Sequence, residues 1–458
     1  MTFLTVMQFI VNIIVVGFML TVIVIGLIWL IKDKRQSQHS VLRNYPLLAR
    51  IRYISEKMGP ELRQYLFSGD NEGKPFSRND YKNIVLAGKY NSRMTSFGTT
   101  KDYQDGFYIQ NTMFPMQRNE ISVDNTTLLS TFIYKIANER LFSREEYRVP
   151  TKIDPYYLSD DHAIKLGEHL KHPKEGNFSE GLFKEVAQLS NVRAFELKLA
   201  QGAKTRGGHM EAEKVNEEIA KIRNVEPYKT INSPNRYEFI HNAEDLIRFV
   251  DQLQQLGQKP VGFKIVVSKV SEIETLVRTM VELDKYPSFI TIDGGEGGTG
   301  ATFQELQDGV GLPLFTALPI VSGMLEKYGI RDKVKLAASG KLVTPDKIAI
   351  ALGLGADFVN IARGMMISVG CIMSQQCHMN TCPVGVATTD AKKEKALIVG
   401  EKQYRVTNYV TSLHEGLFNI AAAVGVSSPT EITADHIVYR KVDGELQTIH
   451  DYKLKLIS

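Results

Sequence analysis

From Ala194 onward the chain alternates short strand-like runs with helical patterns, and this alternation restricts its fold more than any other feature. The runs are AFELKLA (194–200), VGFKIVV (261–267), FITIDG (289–294), VKLAASG (334–340) and FVNIARG (358–364). Between them lie NAEDLIRFVDQLQQL, SEIETLVRTMVELDKY and TPDKIAIALGLG, which read as helices. Asn242 is placed to cap the first of these, and Thr344 to cap the third, with Pro345 at its first position. Apolar strands separated regularly by helices predict a parallel sheet covered on both faces. Two architectures satisfy this, a doubly wound sheet and a (β/α)8 barrel. Both place functional residues at the C-terminal ends of the strands, so that feature does not choose between them.

The N-terminus predicts a different solvent. Residues 1–31 carry no charged side chain, and from Ile13 to Ile31 the only polar one is Thr21. A helix needs about 20 apolar residues to cross the hydrocarbon core, so this run reads as a single membrane-spanning anchor. A cleaved signal peptide would want a basic start, a shorter apolar stretch and a small-residue cleavage site. Lys32, Lys34, Arg35 and Arg43 follow at once, which places the domain after them on the cytoplasmic side of the cell membrane. Only three cysteines agree with a reducing compartment. A net charge of +4 on 458 residues gives no ground for nucleic-acid binding. The expected organisation is an anchor over 1–35, a cap region over 36–150, a barrel-type domain over 151–430 and a C-terminal tail over 431–458.

Three strand ends carry chemistry. TIDGGEGGTGAT (Thr291 to Thr302) packs five glycines into seven residues, which lets backbone N–H groups approach an anion or a flat ring. ASGK (Ala338 to Lys341) and ARG (Ala362 to Gly364) close the next two strands. In barrels a phosphate commonly binds between the loops after the last two strands, and Arg363 could add charge-assisted bonds there. All three cysteines, Cys371, Cys377 and Cys382, follow the last strand in the run CIMSQQCHMNTC. Three thiolates without a fourth suit a three-iron cluster; buried structural thiols and a zinc site completed by His378 are the alternatives.

Taken together, ELKLAQGAKTRGGH, EEIAKIRNVEP, INSP, FKIVVS, DGGEGGTGA and GCIMSQQCHMNTCPVGVATTD resemble the FMN-binding synthase domain of glutamate synthase, most of all its membrane-anchored, single-domain bacterial branch. The resemblance runs from Ala194 to about Thr430. It implies an FMN barrel that reduces 2-iminoglutarate, formed from 2-oxoglutarate and free or glutamine-derived ammonia, to glutamate. It further implies a [3Fe-4S] cluster on Cys371, Cys377 and Cys382, and electrons from a ferredoxin or a reductase subunit. By the same resemblance Lys198 and Lys204 are catalytic, and Gln201, Arg223 and His209 line the substrate. Lys264, Gly297, Gly298 and Thr299 lie beside the flavin, and Ser339, Gly340, Lys341, Arg363 and Gly364 form its phosphate site. Another FMN-dependent oxidoreductase of an imine or 2-oxo acid, or a catalytically silent membrane-bound scaffold, is the alternative.

Two departures stand against that pattern. After Lys204 the chain reads KTRGGHM, one residue short, with His209 where the family has glutamine or an apolar residue. More seriously, the five runs correspond to barrel strands four to eight. The segments for strands one to three are missing, with a break expected at Pro173–Lys174, so the expected fold is an incomplete TIM-type (β/α)8 FMN barrel behind a transmembrane helix.

Overall fold

The computed structural model describes residues 3–36, 40–90, 105–117, 129–136, 144–151, 178–205, 209–223, 225–232 and 236–458, together with Thr99, Glu120 and Ile121. The expected break at Pro173–Lys174 lies outside them, as do residues 206–208 of the shortened motif. The chain divides into two compact units, Met1–Arg78 and Asn79–Ser458.

In the first unit the charge-free run forms helix α1 (Phe3–Arg35), whose apolar side chains from Met7 onward are exposed on every side. Over Met7–Arg35 its mean hydropathy reaches 2.9, and it is the one described helix long and apolar enough to cross a membrane. Asp33, near its end, is buried because it is fully partnered. Its carboxylate accepts from Arg50 Nε at 2.8 Å and from Leu47 N at 3.1 Å, while the Arg50 guanidinium lies over the Trp29 ring.

In the second unit the five predicted runs form β1 (Phe195–Lys198), β2 (Val261–Ile265), β3 (Phe289–Asp293), β4 (Lys335–Ser339) and β5 (Phe358–Asn360). They make one wholly parallel sheet in the order β5-β4-β3-β2-β1, so chain neighbours are sheet neighbours, as in a barrel wall. The intervening helices are α2 (Ala243–Gly257), α3 (Val270–Leu283), α4 (Leu314–Lys327) and α5 (Pro345–Gly353). Asn242 caps α2 as its sequence predicts, accepting from Asp245 N at 2.9 Å. Thr344 occupies the cap position of α5, but its hydroxyl makes no cap bond. Replacing Asn242 by alanine is expected to cost about 1 kcal/mol, a fall of about 2 °C in the melting temperature of the detergent-solubilised chain.

The sheet is buried on both faces at its centre and open on one face at its edges. Phe195, Val261, Phe263, Ile290, Ile292, Leu336 and Ala338 are buried on the face that α2, α4 and α5 contact, and Phe195 stacks on Phe183 with ring centroids 4.4 Å apart. The register puts a second set on the opposite face. Lys198, Lys264, Thr291, Ala337 and Phe358 form one row across the sheet, and Asp293, Ser339 and Asn360 the next. In a closed barrel this face is the packed interior. Here Lys198, Lys335 and Asn360 are exposed on it, and Phe358 is 54% exposed. Burial alternates only in the edge strands β1 and β5; the central strands β2, β3 and β4 are buried over successive residues, as their hydrophobic runs suggest. The C-terminal residues are integral to the unit: 437–440 pair with 106–109 and with 446–448, and the helix Ile449–Ile457 packs on α4. There the buried Lys453 donates to Ser322 Oγ at 3.1 Å and to Glu326 Oε1 at 2.6 Å.

Candidate active site

The open face gathers charge at its C-terminal edge. Lys198 and Lys264 are direct partners across β1 and β2, and one residue row further on stands Asp293, whose Oδ2 is 3.7 Å from Lys264 Nζ. Asp293 is nearly buried, and the same Oδ2 accepts from Gly202 N at 2.9 Å. Gln201 and Lys204 close the turn after β1 by exchanging backbone hydrogen bonds of 2.9 and 2.7 Å. Desolvation, with Lys198, Arg223 and Lys214 nearby, lowers the Lys204 pKa to about 8. Although exposed by surface area, Lys198 is also pushed down, by the protein crowding its ammonium and then by Lys264 and Arg223, with Asp293 and Glu196 opposing. Arg223 ends the helix Glu217–Arg223, which Asn216 caps by accepting from Ile219 N at 2.9 Å. Lys198 and Lys264 face the buried carboxylate and Lys204 and Arg223 add charge beside Lys198, an excess of cations that suits a ligand with two or more negative charges.

The glycine loop after β3 is held against this cluster by backbone contact. A Cβ on Gly202 would lie 2.4 Å from Gly294 O and 2.5 Å from Gly297 Cα, so the two turns touch where neither has a side chain. Gln201 Nε2 donates to Gly298 O at 2.8 Å, and Thr302 Oγ1 to Ala203 O at 2.7 Å. Thr299 is half-buried and donates to Ala301 O at 3.3 Å. Arg363 donates to Glu296 O at 2.6 Å and runs beneath Gly298, where a Cβ would stand 2.6 Å from its Cδ. Its guanidinium therefore braces the glycine loop. Burial lowers its pKa, against the pull of Asp293 and Glu296. Glu296 in turn accepts from Leu314 N, at the start of α4.

The expected phosphate site adjoins this loop. Ser339 O accepts from Gly294 N at 2.8 Å, and the turn beyond it uses positive φ at Gly340 (152°) and Lys341 (50°). Tyr409 joins it to the loop after β5: its hydroxyl donates to Val343 O at 2.8 Å, and a Cβ on Gly364 would lie 2.7 Å from that oxygen. Gly364 is thus required for packing on Tyr409. At the N-terminus of α5, Thr344 Oγ1 is buried without a hydrogen-bond partner, an orphaned donor of the kind a phosphate oxygen satisfies. These turns fit a flavin phosphate.

His209 is fixed by Asn232 Oδ1 at 2.7 Å and Glu211 Oε1 at 2.9 Å. These two bonds, the Asn232 one first, raise its pKa. Beyond it the turn Ala212–Lys214 meets the cysteine loop. Lys214 Nζ donates to Cys377 O at 2.9 Å and to Ala387 O at 3.2 Å, and Asn380 Nδ2 donates to Glu213 O at 3.0 Å. All three cysteines are free thiols. Burial pushes Cys371 up, and the other two thiols push it further. Burial also opposes ionisation of Cys382, but backbone N–H groups of Ala387, Val384, Val386 and Gly385 outweigh it and pull the thiol below its usual value. A cysteine already solvated by four amides fits a thiolate ligand. Among the described residues no three His, Cys, Asp or Glu side chains are already gathered as a metal-ion ligand set, the three cysteines included.

The structure thus joins Lys198, Gln201, Lys204, Lys264, Gly297 and Gly298 at one edge and sets Ser339, Gly340, Arg363 and Gly364 beside them. Asp293, Glu296 and Lys214 were missed. For Asp293 a signal existed, since it ends a strand immediately before the glycine loop.

Residues 176–427 match the model of the conserved region in glutamate synthase. The glutamate synthase large subunit-like protein of Bacillus subtilis is 47% identical over 517 aligned positions, covering 97% of this chain and 98% of that protein. That alignment is longer than the 458 residues here, so it opens gaps in this chain. The archaeal-type glutamate synthase [NADPH] of Thermotoga sp. is 31% identical over 62% of this chain and 57% of its own length. For the glutamate synthase [NADPH] large chain of Azospirillum brasilense the figures are 34%, 65% and 19%. Among solved structures, a flavocytochrome b2 mutant with pyruvate bound gives a TM-score of 0.35 at 12% identity, covering 85% of each chain.

Proposed function

Because this chain belongs to the glutamate synthase family, we propose that it makes glutamate by reducing 2-iminoglutarate at the C-terminal edge of β1–β3, facing the cytoplasm from a single-pass anchor. The observation that carries this reading is the group Lys198, Lys204, Lys264 and Arg223 at the strand ends with the buried Asp293, connected through Lys214 to the loop that holds three free thiols. FMN, when bound, would supply the hydride, and a [3Fe-4S] cluster on Cys371, Cys377 and Cys382 would supply single electrons from a ferredoxin or a reductase subunit. The chain's own residues do the rest. Arg223 and Lys204 bind the two carboxylates of the 2-oxo acid, and Gln201 fixes the glycine loop beside the ring position. Lys198 and Lys264 stabilise negative charge near the ring, and Asp293 keeps them in place.

Anaerobic purification of the detergent-solubilised chain tests this. A flavin spectrum, a three-iron paramagnetic resonance signal, and glutamate formation from 2-oxoglutarate, ammonium and a reduced donor are expected; absence of both cofactors' signals sinks the reading. The exposure of Lys198, Asn360 and Phe358 on the open sheet face favours one second reading, a membrane-bound binding protein without turnover. It predicts ligand binding without glutamate formation.

The Lys204 pKa of about 8 fixes a pH dependence. Below that value the side chain is a cation, and above it neutral. Affinity for 2-oxoglutarate is therefore expected to fall as pH rises through about 8, by at most about tenfold per unit for one proton. Lys204→Met should flatten that limb. A profile level from about pH 7 to 9 in the unaltered chain would remove Lys204 from the binding set.

A further inference from the structure

We propose that Lys214 is a positioning residue that clamps the cysteine loop to the turn Ala212–Lys214, between His209 and the helix that ends in Arg223. The inference rests on the cluster reading for its electronic part only. Lys214 lies between two groups that the proposed reaction must bring together. On one side along the chain are His209 and Glu211, and on the other the helix that ends in Arg223. Its ammonium bridges the carbonyls of Cys377 and Ala387, ten residues apart, and so ties the middle of the cysteine loop to its end.

A second contact acts in parallel. Asn380 sits in the left-handed region (φ 59°), and its amide nitrogen reaches Glu213 O at 3.0 Å. Its amide oxygen accepts from Thr389 N at 2.8 Å and Thr388 Oγ1 at 2.9 Å. The turn Ala212–Lys214 and residues 377–389 therefore form one body, closed by side-chain donors from both directions. Lys214 also brings positive charge beside Cys377 and Cys382. A cation there stabilises the more negative, reduced state of any iron cluster these thiolates hold.

Two measurements on the full detergent-solubilised chain test the clamp. In cluster-free protein, Lys214→Met is expected to speed amide hydrogen exchange over residues 372–390 at least tenfold while β1 and β3 exchange as before. Lys214→Arg, which keeps charge and donors, should restore most of the protection, and Asn380→Ala should open the same segment. Unchanged exchange over 372–390 in Lys214→Met overturns the clamp. In reconstituted protein, Lys214→Met should favour the oxidised cluster tenfold, a fall of about 59 mV for one electron. Faster exchange with an unchanged potential supports the mechanical role and overturns the electronic one. Failure of the unaltered chain to form any cluster sinks the cluster reading, and the exchange experiment still decides the clamp.

Discussion

Gly202→Ala is expected to lower the stability of the chain by about 3 kcal/mol and to abolish flavin binding. The argument is steric and local. Gly202 is buried where the turn after β1 meets the glycine loop after β3, and the direction a methyl would take is filled by backbone: Gly294 O at 2.4 Å, Gly297 Cα at 2.5 Å and Gly297 N at 2.7 Å. A side chain could rotate away, whereas these atoms can only move with their loop. Such a movement would strain three contacts at once: Gly202 N to Asp293, Gln201 to Gly298 O, and Arg363 to Glu296 O. Gly300→Ala is the control, because no atom lies within 4 Å of its missing Cβ. It should stay within about 0.5 kcal/mol of the parent. Melting temperature and flavin stoichiometry read both variants, and equal behaviour would show that the close approach at Gly202 does not govern the site.

Much of this arrangement is legible in the chain because it is local. The five strands follow from short apolar runs, the cap at Asn242 from a residue type at a helix start, and the cysteine loop from spacing alone. What was not legible depends on register. Whether Glu196 and Lys198 face helices or the opposite side follows only from pairing β1 with β2, and a slip of one residue would exchange the two faces. The run FITIDG is buried on both faces, as it suggested, but only the register shows that Thr291 shares its row with Lys264 and that Asp293 lies on the same face. Arg363 illustrates a second limit. In the strand-end motif ARG it suggested a phosphate ligand, but its length lets it reach back under Gly298 and brace the loop. Lys214 could not be found from local pattern, since its partners lie more than 160 residues along the chain.

Asp293→Ala should be the most costly single side-chain loss in the site, at about 3–5 kcal/mol. Asp293 is the buried carboxylate among Lys198, Lys264 and Arg363, and it is also the acceptor for Gly202 N. Removing it strands positive charge and orphans a buried N–H together. Asp293→Asn separates the two effects: its amide oxygen can still accept from Gly202, so its smaller loss measures the charge alone. The pH dependence gives an independent check. Asp293 is among the groups that hold the Lys198 pKa up, so in either variant that pKa falls further below its unfolded value. A lysine whose pKa is lower in the fold binds fewer protons there than in the unfolded chain. Stability therefore rises with pH across the window between the two values. The deficit of both variants relative to the parent should accordingly shrink as pH is raised from neutrality toward the ordinary lysine pKa. A deficit that stays constant over that range would mean that Asp293 acts only as a hydrogen-bond acceptor, and that the cations at the strand ends are balanced by other groups.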